Sequence, residues 1–267
     1  MPSPASTYMA WISLLTDFGL RDPYVGIMKG VIYAIAPQVR LIDLTHGIPP
    51  QDVAAARFAL MTAYPYLPQG TIQLAVVDPG VGSARRGIAL QTAQGYLVGP
   101  DNGLFGGILA HFPALRAIEL NNSCYWRTPE PSRTFHGRDI FAPAAAHLAN
   151  GIPLSELGDP LNPAELTRLD WPEPKLLPGG YQAVIQAVDH FGNCISTLPE
   201  QLLKGRSWSV WAKGTRIPAA PTFASGSVGE LMAVVGSSGW LEIAQNQGNA
   251  SQTLGLNVAD EIWVEWI

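Results

Sequence analysis

The chain reads as two stretches with different hydrophobic periods. Trp11–Thr16 is a short apolar run of extended type, and Asp22-Pro23 follows it as a capping pair, Asp22 at the N-cap and Pro23 at the first helical position. Tyr24, Ile27, Met28, Val31, Ile32 and Ile35 then recur at the spacing of one helix face. The alternation continues. Val39–Leu44, Thr71–Asp78, Gly87–Thr92, Tyr96–Val98 and Ala117–Leu120 read as strands, and Gln51–Tyr64, Asn102–Phe112 and Arg138–Asn150 as helices. Over residues 11–157 this pattern predicts a three-layer α/β domain with a mostly parallel sheet. Pro160, Pro163, Pro172, Pro174 and Pro178 punctuate the next stretch, read as a linker over 158–178. From 179 to 267 the helical period is lost. Tyr181–Asp189, Trp208–Trp211, Leu231–Val235, Trp240–Ala244 and Glu261–Trp266 are short strand-like runs, which predict a smaller all-β domain, sandwich or barrel. Residues 1–10 are expected to be a disordered N-terminus.

Composition narrows the class. Lys plus Arg number 16 and Asp plus Glu 21, a formal net charge of −5 with no basic run. Nucleic acid and anionic membrane are therefore not the expected partners. Charged residues make up 14 % of the chain, against about 25 % in an average soluble protein, which hints at extra buried surface in an oligomer. The 27 glycines and 23 prolines follow no collagen-like period and read as tight turns. Two cysteines, Cys124 and Cys194, cannot build a disulfide framework or a four-thiolate metal site. No apolar run is long enough to span a membrane. The first ten residues lack a signal-peptide pattern, so the cytoplasm is the expected location.

Common cofactor signatures fail. Gly80-Val81-Gly82 is followed by Arg85 where a dinucleotide fingerprint needs its third glycine, there is no P-loop, and the five histidines show no close metal-ligand spacing. What stands out is polar residues where apolar strands end, the place where open α/β sheets bind ligands. These are Thr16-Asp17-Phe18-Gly19, Asp43-Leu44-Thr45-His46, the loop Asp78 to Ser83, and Gly99 to Gly103. Each aspartate alone is equally a helix cap or turn former. Asp17 is of a type that accepts from a ribose diol. Arg85-Arg86 reads either as an anion clamp or as a solvated pair, and His136, in Phe135-His136-Gly137-Arg138-Asp139, either as reactive or as structural. In the second stretch, Val188 to Asn193 and Gly236 to Glu242 read first as turns after strands.

Taken together, seven segments resemble the S-adenosylmethionine hydrolases, also called SAM hydroxide adenosyltransferases, a family related to SAM-dependent chlorinases and fluorinases. The segments are LLTDFGLRDPYVGIMKGVI, DLTHGIPPQDVAAARFAL, VVDPGVGSARR, VGPDNGL, TFHGRDIFAPAAAHLA, VDHFGNCIST and GSSGWLEIA, spanning residues 14–244. The resemblance implies an N-terminal α/β domain and a β-barrel-like C-terminal domain. It implies a homotrimer with the ligand between the N-terminal domain of one subunit and the C-terminal domain of the next. The implied reaction is hydrolysis of S-adenosylmethionine to adenosine and methionine, with no metal and no cofactor besides the substrate. Carried over by motif, Asp78, Arg85 and His136 are the catalytic trio and Asp17 the ribose ligand. Asp189, Phe191 and Asn193 serve the methionine amine and adenine regions, and Ser237 and Glu242 are further substrate contacts, with Ser238 and Gln245 beside them. The related halogenases have Tyr at the positions of Asp78 and His136 and Trp at that of Gln51. Their Asp189–Asn193 segment is one residue longer. Asp78 would repel a halide and His136 would compete to hydrogen-bond it, so halogenation is disfavoured. A non-catalytic SAM or adenosine sensor is the alternative from another class.

Overall fold

The computed structural model describes residues 9–169 and 171–267. Apart from Met9 and Ala10, the expected disordered N-terminus lies outside the described residues. The chain divides into two compact units, Met1–Leu169 and Asp170–Ile267.

The first unit holds β1 (Trp11–Thr16), β2 (Arg40–Thr45), β3 (Thr71–Val76), β4 (Gly87–Gln91), β5 (Gly95–Pro100), β6 (Arg116–Glu119) and β7 (Pro160–Leu161). They form one sheet in the order β2-β1-β3-β5-β4-β6-β7. β2, β1, β3 and β5 run parallel, whereas β4, β6 and β7 extend the sheet antiparallel. β3 is buried at every position, as expected of a parallel strand covered on both faces. The covering helices are α1 (Tyr24–Ile35), α2 (Val53–Ala63), α3 (Gly106–Leu109) and α4 (Ala142–Ala149). Met28 and Ile32 of α1 and the alanines of α4 pack on Ile12, Leu14 and Leu74. On the opposite face Ala56 and Leu60 of α2 and Ile108 of α3 pack on Leu15, Ala75 and Leu97. The result is three layers with two hydrophobic cores.

Three local expectations are corrected. α1 opens at Pro23 with no side-chain cap, so Asp22 is not the cap; its first bond runs from Ile27 N–H to the Pro23 carbonyl, 2.9 Å. The helix expected over 102–112 is confined to 106–109, because Asn102 and Gly103 form a turn instead. Asn102 Oδ1 accepts from Leu104 N–H at 3.3 Å, and Gly103 sits at φ +92° against the Leu169 backbone. The helix expected from 138 begins as a π-helical turn, Gly137–Phe141, before α4. Pro143 explains the break, since it has no N–H to offer the Asp139 carbonyl. That carbonyl accepts instead from Arg127 N–H at 2.9 Å.

The second unit holds β8 (Lys175–Leu177), β9 (Gly180–Val188), β10 (Cys194–Pro199), β11 (Trp208–Ala212), β12 (Thr215–Pro218), β13 (Leu231–Val235), β14 (Trp240–Gln245), α5 (Ala250–Leu254) and β15 (Glu261–Trp266). The sheet runs β12-β11-β15-β9-β10-β14-β13, with β8 paired to β9. All its strand pairs are antiparallel. A bridge between Ala219 and Ala233 brings the end of β12 to β13, so the sheet is a nearly closed barrel around Ile185, Leu198, Val210, Ile243 and Val264. Within the stretch read as a linker, 158–178, Pro160–Leu161 pairs with β6 and Lys175–Leu177 with β9. Among the described residues no helix is long and apolar enough to cross a membrane, and no group of three His, Cys, Asp or Glu side chains is placed to hold a metal ion.

Candidate active site

The parallel strands deliver their C-terminal loops to one edge of the first unit's sheet. After β1, the Thr16 hydroxyl pairs with His46 Nδ1 at 2.9 Å and accepts from Phe18 N–H at 3.2 Å. Gly19 N–H donates to the His46 carbonyl at 2.8 Å. These bonds tie the turn carrying Asp17 to the loop after β2. His46 is itself buried, with Nε2 lying 3.1 Å from Asp43 Oδ1 but out of line for a hydrogen bond. Asp17 Oδ2 accepts from the backbone N–H of Gln51 at 2.7 Å. Gln51 holds φ +67°, a conformation costly for a residue with a Cβ.

The loop after β3 folds on itself. Ser83 N–H and its hydroxyl both donate to the Gly80 carbonyl, and the same hydroxyl accepts from Arg85 N–H. Gly82 sits at φ +78°, where a Cβ would meet the Arg133 carbonyl at 2.4 Å. That close approach lays the 127–137 segment beside the loop and brings His136 to Arg85. Asp139 holds the segment in place. Its carboxylate is fully buried and accepts from Arg127 Nε at 2.6 Å, Arg138 Nε at 2.8 Å, Arg138 Nη2 at 2.7 Å and Ser132 N–H at 2.9 Å. Burial alone would raise its pKa, but the bonds from Arg138 and Arg127 outweigh it and hold the carboxyl well below the usual range.

The trio therefore meets. Arg85 Nε donates to Asp78 Oδ1 at 2.9 Å and to Oδ2 at 3.1 Å, and Nη2 also contacts Oδ2. Arg85 Nη2 lies 2.9 Å from His136 Nδ1. The guanidinium carbon rests 5.2 Å over the Phe141 ring. Guanidinium can only donate, so the ring nitrogen facing it is the unprotonated one, and neutral His136 carries its proton on Nε2. Burial, and then the charge of Arg85, pull the His136 pKa below 6.5, with Asp78 and Asp139 opposing. Asp17, Asp78 and His136 line a cleft of about 320 Å³ together with Phe18, Gln51 and Phe135. Phe135 meets Phe18 and Tyr24 edge-on and Phe18 and Tyr24 are tilted to each other, with ring centres 5.3–5.8 Å apart. The cleft thus pairs an apolar aromatic wall with a charged floor.

The other strand-end residues divide. Arg86 turns away from Arg85 to pair with Asp101, whose Oδ1 accepts from Thr167 N–H at 2.8 Å. Asn102 Nδ2 donates to the Val77 carbonyl at 2.8 Å. In the second unit, Asp189 closes a turn: Oδ1 accepts from the N–H groups of Phe191 and Asn193, and Oδ2 from Asn193 Nδ2. Phe191 on that turn is 72 % exposed. Glu242 is 8 % exposed, and burial, then the charge of Asp189, raise its pKa. Gly236 lies directly over it; a Cβ there would meet Glu242 Oε1 at 1.7 Å. Ser237 and Ser238 are exposed on the adjacent turn. Gln245 is occupied at both ends, Nε2 donating to the Gly229 carbonyl and Oε1 accepting from Thr253. Sequence reading did not single out Asp139 or Phe141 as supports of the trio, nor the backbone N–H of Gln51 as the partner of Asp17. The only signal was their place inside the TFHGRDIF and HGIPPQD segments.

A family model described as the SAM hydroxide adenosyltransferase N-terminal domain matches residues 12–158, and its C-terminal counterpart matches 183–263. The chain belongs to the SAM hydroxide adenosyltransferase family. This family member is 43 % identical to a protein from Salinispora tropica named (R)-S-adenosyl-L-methionine hydrolase, over 95 % of this chain and 97 % of that one. A protein of the same name from Thermus thermophilus is also 43 % identical, over 92 % of this chain and 95 % of its own. A solved structure of an uncharacterized conserved protein from Thermotoga maritima superposes with a TM-score of 0.89 at 37 % identity, covering 95 % of this adenosyltransferase-family chain and 99 % of that one. A fluorinase from Actinoplanes sp. stands further off, at 29 % identity.

Proposed function

We propose that this chain hydrolyses S-adenosyl-L-methionine to adenosine and L-methionine, acting on the (R)-sulfonium form that the names of its relatives specify. The observation that carries the reading is the Asp78–Arg85–His136 cluster bordering a cleft that also holds Asp17. A sulfonium leaves as a neutral thioether, so no acid is needed to protonate the leaving group. Water attacks C5′, the new O–C5′ bond forms as C5′–S breaks, and the electron pair passes to sulfur. The catalytic requirement is to align the water at about 3–3.5 Å and to remove its proton.

The hydrogen-bond pattern supports a division of labour. Arg85 stays protonated and stabilises the hydroxide as it forms. His136 presents Nε2–H, so it donates to the attacking oxygen and orients it. Asp78 Oδ1 accepts one bond from Arg85 and keeps a lone pair, so Asp78 takes the proton. Asp17 holds the ribose, while Asp189, Phe191, Asn193, Ser237, Ser238, Glu242 and Gln245 serve the rest of the substrate. The substrate is S-adenosylmethionine itself, and the reading invokes no cofactor or metal. The exposed side chains of Leu20, Tyr24, Ile27 and Tyr33 support the further proposal of a homotrimer. Light scattering would then give three times the 28.6 kDa chain.

The test is incubation of each sulfonium epimer in ¹⁸O-labelled water. Labelled adenosine with equimolar methionine, from the (R) form in preference to the (S), is expected. Ligand retained intact without turnover would instead make the protein a sensor. Asp78→Asn is expected to lose roughly 10²–10⁴-fold in kcat, the span of a general base. His136→Gln, which keeps an N–H donor, is expected to lose about tenfold, the effect of one modest hydrogen bond. The reverse order would make His136 the base.

A further inference from the structure

The largest unexplained charge in the first unit is Arg57, in the second turn of α2. Its Nε is buried and finds no hydrogen-bond partner among the described residues. The arginines elsewhere in the sheet domain are paired, as Arg85, Arg86, Arg127 and Arg138 are, or exposed, as Arg21, Arg116, Arg133 and Arg168 are. A partly buried guanidinium with no counter-charge among the described residues is costly, because little in the interior replaces its hydration. Burial alone pulls its pKa down, with no acid opposing.

The surroundings are built around this group. Gly107 lets α3 approach α2, since a Cβ there would meet the Met61 Cβ at 2.9 Å and the Arg57 carbonyl at 3.1 Å, and Gly106 lies in ordinary contact range of Arg57 Nε. The guanidinium faces a cavity of about 420 Å³ whose other walls include Leu109, Pro113, Leu166, Arg168 and Leu169. Among the described residues, no acidic side chain lines it. Two described acids bonded at or within the 163–169 wall are already engaged: Asp101 with Arg86 and the Thr167 N–H, and Glu165 with Asn162. The volume lies within the usual range for a small-molecule site, on the order of 300–1,000 Å³. The wall is anchored as well, since Arg86 Nη2 donates to the Glu165 carbonyl at 2.7 Å.

We propose that the cavity between α2, α3 and residues 163–169 binds a small organic oxyanion, with the half-buried Arg57 as its charge partner, Arg168 at its rim and the apolar walls holding its body. The site is separate from the cleft of Asp17, Asp78 and His136; the two share no lining residue. Two guanidinium groups and no carboxylate among the described residues select a phosphate or carboxylate head. Leucine and proline walls select an apolar body over a bare ion.

Phenyl phosphate and inorganic phosphate are the probes, titrated into the full-length protein by calorimetry and by thermal shift. Phenyl phosphate should bind saturably and at least tenfold more tightly than inorganic phosphate. Arg57→Met should weaken it at least tenfold and Arg168→Met by a smaller factor. With no ligand, Arg57→Met should melt at or above the wild-type temperature, because an unpaired half-buried charge is gone. Equal binding of the two probes, or unchanged binding in Arg57→Met, would overturn the proposal. So would absence of phenyl phosphate binding together with a smaller assembly mass in Arg57→Met, which would make the partner a carboxylate of another copy of the chain.

Discussion

Replacing Asp139 by asparagine tests whether the buried carboxylate, and not the trio itself, places His136. Each oxygen of Asp139 accepts two bonds: Oδ1 from Arg127 Nε and Arg138 Nε, Oδ2 from Ser132 N–H and Arg138 Nη2. The amide nitrogen of asparagine must replace one oxygen, so two bonds are lost and a donor is turned onto a donor. Hydrogen bonds to charged groups contribute about 1.5–3 kcal/mol each. Arg127 and Arg138 are 45 % and 29 % exposed and regain water when released, which discounts the loss to about 2–4 kcal/mol. For a unit of this size that is a fall of roughly 5–15 °C in melting temperature. Because either Arg127 or Ser132 would no longer be held, depending on which oxygen the amide nitrogen replaces, His136 should shift from Arg85 and kcat should fall about 10²-fold. KM should change little. Urea and thermal unfolding read the first effect and steady-state kinetics the second. A stability change below about 0.5 kcal/mol, the range of ordinary surface substitutions, would refute the reasoning. So would normal kcat in a correctly folded variant. The pH dependence has a definite sign. The folded carboxyl lies below its unfolded value near 3.9, so its stabilisation is complete above about pH 4 and is lost as pH falls further.

Three further outcomes are expected. Gly82→Ala places a Cβ against the Arg133 carbonyl at positive φ, so it should destabilise by more than about 1 kcal/mol and lower kcat, read by calorimetry and turnover; an unchanged variant would contradict the close approach. The lowered His136 pKa predicts that kcat/KM rises with pH through a limb below 6.5, because protonation would break the bond to Arg85; a pH–rate profile should lose this limb in His136→Gln. Glu242 has a raised pKa in the fold, so its unfolded form binds fewer protons and stability should fall as pH rises above about 4.5. Glu242→Gln should flatten that slope while weakening substrate binding, and a steeper slope in the variant would disprove it.

Much of the fold was legible because apolar periods were strong where burial was two-sided. The run Thr71–Val76 and the helix-face spacing of α1 correspond to elements in the structure within a residue or two. Strands without such a run escaped. Thr215–Pro218 is polar and sits at the barrel seam, and Cys194–Pro199 mixes serine and threonine into buried positions. Helical extent failed at Asn102-Gly103, where a turn side chain overrode periodicity, and helix type changed ahead of Pro143, where an N–H is missing. For the site, types and order of residues in the motifs pointed to Asp78, Arg85 and His136. Their contact could not be read, because it depends on a backbone approach at Gly82 and on a carboxylate, Asp139, that touches none of the three. The direction of the Arg85–His136 bond, which fixes the tautomer, exists only in three dimensions.

The π-helical turn at Gly137–Phe141 also bears on how this family can change length. Each residue of an α-helix advances the face by about 100°, and a π turn amounts to one residue inserted into that count. Deleting a single residue there would let α4 continue as a regular helix and rotate everything before it by about that angle. His136 would then point away from Arg85 although every residue of the trio remained. A deletion between Gly137 and Phe141 would therefore be costly even where Asp139 and Phe141 are kept, and a homologue one residue shorter in this turn would hold the trio's letters without the constellation.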